Sequence, residues 1–369
     1  MVVYLVTIFL TIVLGILAND ARKVRVNQNT KKEYYMGTFF VFLIFLIWAM
    51  VFACRGINVG TDTSGYKYFY DRIILNNVSL EAFMLNQRDW LFGYLEYFCC
   101  RIFKGNWICF QFVVAILLYA PVLVVLKKRA DYLMSSLLLF IFTLNFFSGF
   151  NGMRQAVAVS IVFYAYYECF TEKQYFKYAF LLFLAFGFHS SVILAIPVHF
   201  LSRFKVKGRV VSFSVCLVIL LYLFMWQVWP VIINFLEAIG QSKMAADYAE
   251  VAKDAGSGLT RFAVALVPVF VGNLYKERLE EKFQHINNEL VLCLFGALFM
   301  LLSTKYWIFA RVSAYFLSTQ IMFIPKLYEI FTENSRKTGC FMILILYSVY
   351  MIMLLLHGEG GYYPYSFIF

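Results

Sequence analysis

Residues 107–126 read W-I-C-F-Q-F-V-V-A-I-L-L-Y-A-P-V-L-V-V-L and are followed at once by Lys127, Lys128 and Arg129. The run is long enough for a helix to cross the roughly 30 Å of hydrocarbon in a bilayer. Backbone N–H and C=O groups find no water in lipid, so such a run must be helical. The basic triplet marks the end that stays in the cytoplasm. Outward from this segment, apolar runs recur at about 3–18, 37–54, 132–148, 153–170, 176–188, 190–201, 209–229, 260–275, 288–303, 306–325 and 339–356. The expected fold is all-α: a polytopic transmembrane helical bundle of about 12 spans, forming one integral membrane domain over residues 1–369. A β-barrel would need strands of about 10 residues alternating apolar and polar, and no such alternation is sustained.

Composition agrees, since 62% hydrophobic and 14% charged residues with a mean hydropathy of +0.74 lie far from the values of a soluble domain. A net charge of +11 raises the question of nucleic acid. The basic residues, however, are dispersed in short loops rather than gathered on one face, so they are topology signals and no nucleic-acid partner is expected. The eight cysteines form no C-x-x-C pair and share no zinc spacing with histidine, so neither a metal nor a disulfide framework is expected. The N-terminal run lacks a basic n-region and an A-x-A-type cleavage site, and is taken as the first span.

Lys and Arg cluster in alternate loops: Arg22, Lys23, Arg25, Lys31 and Lys32; Lys127, Lys128 and Arg129; Arg203, Lys205, Lys207 and Arg209; Lys276, Arg278 and Lys282; Lys326, Arg336 and Lys337. With these inside, both termini lie outside, and the longest outer segments are about 55–106 and 230–259. The stretch D-W-L-F-G-Y-L-E-Y-F-C-C-R-I-F at 89–103 could count as another span, which would reverse every later loop. Its Asp89, Glu96 and Arg101 suit a helix lying in the interface instead. The runs 176–188 and 190–201 are short for two crossings and turn at F-H-S-S, so they read as a broken or re-entrant pair.

Sorted by side, five polar features fall outside. The loop R-G-I-N-V-G-T-D-T-S-G-Y at 55–66 offers Arg55 to grip an anion and Asp62 to exchange a proton. F-N-G-M-R-Q at 150–155 sets Arg154 and Gln155 at the start of a span, where free helix N–H groups and a guanidinium can share one phosphate. His189 stands at an outer turn, in a setting suited to proton transfer. Arg311 follows K-Y-W at 305–307, about one turn inside an apolar span, and Tyr315 lies one turn further. An arginine buried at that depth costs roughly 2.5 kcal/mol or more unless it snorkels or finds a partner. The fifth feature is Y-Y-P-Y at 362–365, which includes Tyr365 and equally suits an interfacial aromatic belt. Three arginines on one side point to a diphosphate, and Tyr66, Tyr315 and Tyr365 to sugar or lipid contacts.

In order and spacing these segments resemble the EpsG family of Wzy-like polymerases of bacterial exopolysaccharide and capsule. The resemblance rests on residues 55–66, N-G-M-R-Q-A-V-A at 151–158, K-Y-A-F-L-L-F-L-A-F-G-F-H-S-S at 177–191, R-V-S-A-Y-F at 311–316 and Y-Y-P-Y at 362–365. It implies a GT-C-like glycosyltransferase without cofactor or metal, in the bacterial cytoplasmic membrane. Such an enzyme joins oligosaccharide units carried on undecaprenyl diphosphate at the outer face. Chain-length regulators and other exopolysaccharide assembly proteins are its implied partners. By the resemblance, Arg154, Arg311 and Arg55 hold the diphosphate, and Asp62 or His189 activates the acceptor hydroxyl. The paired acidic motif of many GT-C enzymes is missing from the first outer loop. A flippase for the same lipids would need access from both faces, and a membrane acyltransferase would want a histidine with an acidic partner.

Overall fold

The computed structural model describes all residues except 29–30, 86, 204–207, 239–245, 247–248 and 250–255. Half of the expected outer segment 230–259, together with Lys205 and Lys207, lies outside the described residues, as do the side chains of Arg22, Lys23, Arg25, Lys31, Lys32 and Arg209. The described residues are all-helical, without a strand. The helices are α1 (Val2–Gln28), α2 (Lys31–Ala53), α3 (Thr63–Leu75), α4 (Leu80–Met84), α5 (Trp90–Ile102), α6 (Trp107–Arg129), α7 (Leu133–Phe142), α8 (Met153–Ala165), α9 (Tyr175–Phe188), α10 (Ala195–Leu201), α11 (Gly208–Leu223), α12 (Met225–Ala238), α13 (Leu259–Leu274), α14 (Lys276–Glu280), α15 (Ile286–Ser303), α16 (Ile308–Leu317), α17 (Gln320–Lys326) and α18 (Glu333–Leu356). They form two compact units, one of Met1–Ile193 with Glu333–Phe369, the other of Leu194–Thr332.

Among the described residues, five helices are long and apolar enough to cross a membrane: Val2–Asp20, Met36–Ala53, Trp107–Arg129, Ile286–Ser303 and Glu333–Leu356. Two bent pairs, Cys216–Leu223 with Met225–Phe235 and Ile308–Leu317 with Gln320–Ile330, raise this to seven if each is one span. The second pair breaks at Ser318, whose hydroxyl bonds back to the Tyr315 carbonyl, a contact that loosens the helical ladder. The dozen crossings read from sequence are not reached by length, because the apolar helices Leu133–Phe142, Tyr175–Phe188, Ser190–Leu201 and Leu259–Leu274 stop short. α7 ends early because Leu144 takes a left-handed backbone (φ 63°) that no α-helix continues through.

The first unit has two chemically different ends. At one, the basic last turn of α6 complements its own helix dipole. Lys127 bonds Thr38, Lys128 meets Glu168 at 2.8 Å, and Arg129 meets Glu168 at 3.0 Å and Glu172 at 2.6 Å. At the other end lie the start of α1, the end of α2, residues 55–106, the starts of α6 and α8, and the ends of α9 and α18. Asn106 caps α6 there by accepting from the Cys109 N–H. The expected re-entrant pair is divided: α9 runs between the two ends of this unit, while α10 belongs to the other. α5 is not among the crossing helices.

The chain after α18 straps this second end. The Tyr4 hydroxyl donates to the Tyr362 carbonyl (2.5 Å) and that of Tyr365 to the Val51 carbonyl (2.9 Å). Gly60 N–H bonds the Gly361 carbonyl, Thr61 N–H that of Gly360, Gly56 N–H that of Ser366, and Ile368 N–H that of Cys54. Under the strap sits Arg55, fully buried, with its guanidinium 4.0 Å from the Phe52 ring centre and 4.8 Å from that of Phe150, bonded to the Phe52 carbonyl and Gln111. Gly60 is required by this packing: its φ is +91°, and a Cβ would lie 2.4 Å from the Phe150 carbonyl oxygen. Gly60→Ala is therefore expected to cost about 2–4 kcal/mol, read as a lower thermal unfolding midpoint of the purified protein in detergent.

Candidate functional site

The site begins with a helix that starts the wrong way electrostatically. Arg154 stands in the first turn of α8, where the helix dipole disfavours a cation and favours an anion. Asp89 resolves the conflict. Its Oδ2 lies 3.5 Å from Arg154 Nη1 and 3.4 Å from His189 Nδ1, and the residue is only 3% exposed. Asp89 immediately precedes α5, and His189 immediately follows α9. One buried carboxylate thus joins the start of one helix, the start of a second and the end of a third. Two residues singled out from sequence, Arg154 and His189, are brought together; Asp89, which joins them, was read there only as the charge of an interfacial helix.

Around this pair the guanidinium of Arg154 lies 5.5 Å from the Tyr66 ring centre and 5.4 Å from that of Phe92. The Tyr66 oxygen accepts from the Arg154 backbone N–H. Glu96, two turns along α5 from Asp89, is 1% exposed. Burial pushes its carboxyl up to about 7, a rise the nearby Arg154 charge opposes. Tyr66, Arg72, Gln87, Glu96 and Arg154 share a cavity of about 290 Å³ with Phe69, Ile73, Val78, Ala82 and Phe83. Glu96, Gln87 and Arg72 were missed as site residues. The signal was available: Asp89, Phe92, Gly93 and Glu96 fall on one helical face, and all four are buried. A helix floating in the interface would have turned its charges away from its aromatics.

The other expected residues are placed as follows. Asp62 precedes α3 and is half-buried, accepting from the Thr61 hydroxyl one turn before Tyr66. Gln155 follows Arg154 in the first turn of α8 and is half-buried. Arg55 is enclosed beneath the strap, where burial lowers its pKa to about 10. Tyr365 packs in the strap itself, its ring 5.5 Å from that of Tyr4. Arg311 and Tyr315 belong to the second unit. There Arg311 is exposed on α16 with its guanidinium 4.5 Å from the Trp307 ring centre, and Tyr315 is buried. Among the described residues, no group of three or more His, Cys, Asp or Glu side chains is arranged to hold a metal ion.

The raised pKa of Glu96 means that the folded protein holds this proton more tightly than the unfolded chain does. The stability it contributes is complete below the ordinary glutamate pKa and is lost as pH rises through about 7. Between about pH 5 and pH 8 the unfolding midpoint is expected to fall more steeply for the native chain than for Glu96→Gln, a comparison open to thermal scans in detergent.

No curated protein and no solved structure gives a match to the chain. A family model described as the EpsG family matches residues 38–367, which takes in Arg55, Asp62, Asp89, Glu96, Arg154, His189, Arg311 and the strap through Phe367. The chain belongs to the EpsG family.

Proposed function

We propose that the chain is a Wzy-like polysaccharide polymerase, a glycosyltransferase that joins lipid-diphosphate-linked oligosaccharide units at the outer face of the bacterial cytoplasmic membrane. Family membership supports a polymerase of exopolysaccharide. The observation that carries the reading further is Arg154 at a helix N-terminus, held by a buried carboxylate that also holds His189. A diphosphate bears more charge than one carboxylate and competes with Asp89 for the same guanidinium, at a helix N-terminus whose dipole favours an anion.

In the proposed reaction an acceptor hydroxyl attacks the anomeric carbon of the donor unit. A new C–O bond forms, the bond to the diphosphate oxygen breaks, and the electron pair leaves on the lipid diphosphate, where Arg154 stabilises it. The hydroxyl proton passes to His189, whose Nδ1 is oriented by Asp89, or to Asp62. The family resemblance assigns Arg311, exposed beside Trp307 in the second unit, a diphosphate role of its own. Gln155 assists from the next position on α8 and Tyr66 meets sugar, whereas Tyr315, buried on α16, and Tyr365, packed in the strap, brace those elements rather than touching lipid or sugar. Arg55 contributes by bracing the loop that carries Asp62 rather than by reaching the ligand. The reaction needs no cofactor.

The end that carries Lys127, Lys128 and Arg129 is assigned to the cytoplasm by the positive-inside rule, and the Arg154 end, with both termini, to the outside. The shorter apolar helices cross in company with the long ones in this proposal, which restores a GT-C-like bundle of about 12 spans. Undecaprenyl-diphosphate oligosaccharide is the proposed substrate, and chain-length regulators of exopolysaccharide assembly are proposed partners.

Arg154→Ala and Arg311→Ala are each expected to lower polymerisation by about 10²–10³, with folded protein retained in the membrane. Purified protein incubated with lipid-linked repeat units, and product length read on a gel, checks this; ladders of normal length from both variants would overturn the diphosphate role. Single units accumulating on the inner leaflet of cells would identify a flippase instead. Cysteines introduced at the exposed positions Arg72 and Lys128 test sidedness. A membrane-impermeant thiol reagent should reach Arg72→Cys on intact cells and Lys128→Cys only after permeabilisation.

A further inference from the structure

Apart from Arg154, the cavity is built of parts that the diphosphate role does not use. Its walls come from α3, α4, α5 and the first turn of α8. Glu96, Ile73 and Phe83 are buried, whereas Phe69, Arg72 and Ala82 are exposed, so the carboxyl lies at the floor and an aromatic ring and a guanidinium at the rim. Two buried atoms here lack hydrogen-bond partners: Oε1 of Glu96, an acceptor on α5, and Nε of Arg154, a donor on α8. Folded proteins rarely leave such atoms unmet. A partner is implied that offers both a donor and an acceptor within one small space.

The charges narrow its chemistry. An anion entering beside Glu96 would meet a carboxylate whenever that group is ionised, and a cation would be repelled by Arg72 and Arg154. A hydrocarbon would leave all of these groups unsatisfied. What remains is a neutral molecule rich in hydroxyls, and about 290 Å³ sits at the small end of ligand pockets. We propose that this cavity is a subsite for one sugar ring, with a ring hydroxyl donating to Oε1 of Glu96, Gln87 and Arg72 bonding further ring oxygens, and Tyr66 and Phe69 forming the apolar wall. The polymerase reading supplies only the source of the sugar, a repeat unit whose diphosphate is held on the Asp89 side of Arg154. Because a site built to bond hydroxyls is left with unpaired groups when one is missing, it rejects deoxy analogues far more strongly than an apolar pocket could.

The test uses the full chain purified in a detergent without a sugar headgroup. The probes are the methyl glycosides of glucose, galactose and N-acetylglucosamine, followed by saturation-transfer NMR, and farnesyl diphosphate, followed by isothermal titration. At least one glycoside is expected to bind. Glu96→Leu should weaken it about 10- to 100-fold, the loss for leaving a buried partner unmet. Glu96→Gln, which keeps an acceptor oxygen, should restore most of the binding, and farnesyl diphosphate should still bind both variants. Should Glu96→Leu not fold, Arg72→Ala at the exposed rim provides the second arm and should also weaken the glycoside. Glycoside binding unchanged by Glu96→Leu or Arg72→Ala, or no glycoside binding because the cavity holds water only, overturns the proposal. Farnesyl diphosphate binding that is indifferent to Arg154→Ala would instead defeat the diphosphate role and leave the sugar subsite standing.

Discussion

A carboxylate almost wholly removed from solvent must be paired, and Asp89 satisfies that demand by reaching two helices other than its own. Without it, Arg154 would oppose the dipole of α8 unaided and His189 would lose the group that orients its ring. The pairing fixes where α5 lies, and with it the position of Glu96 and Phe92 two turns and one turn further along. It also keeps a guanidinium poised at a helix N-terminus without committing it, because a contact of 3.5 Å is long for a charged hydrogen bond and leaves room for a stronger anion.

A second arginine shows how context separates residues that look alike in sequence. Arg55 and Arg154 each follow an apolar run and each belong to a glycine-containing polar segment. One is surrounded by Phe52, Phe150 and Gln111 and stabilises the end of the bundle. The other lines a cavity. Phe150 and Gln111 come from elements far along the chain, so nothing local to Arg55 foretells its burial.

The membrane class, the helical fold and the two ends of the first unit were legible because hydrocarbon imposes length and charge rules that can be counted along a chain. Counting failed where apolar composition and helix length part company. Residues 132–148 are apolar throughout, yet Leu144 turns out of the helical region and α7 stops at Phe142. Of the site, Arg154 and His189 were visible as polar residues at apolar boundaries. Asp89 and Glu96 were visible too, but their charge was assigned to solvent. The period that places them with buried Phe92 and Gly93 on one face was the better guide.

The strap after α18 has a consequence for how the molecule is made. Cys54, Gly56, Gly60 and Thr61 obtain backbone partners from residues 360–368, which are synthesised after every intervening helix. Through most of synthesis the N–H groups of Gly56, Gly60 and Thr61 must therefore wait bonded to water, and Arg55 must wait for its cover. This end of the first unit is thus completed only when residues 360–368 have been made.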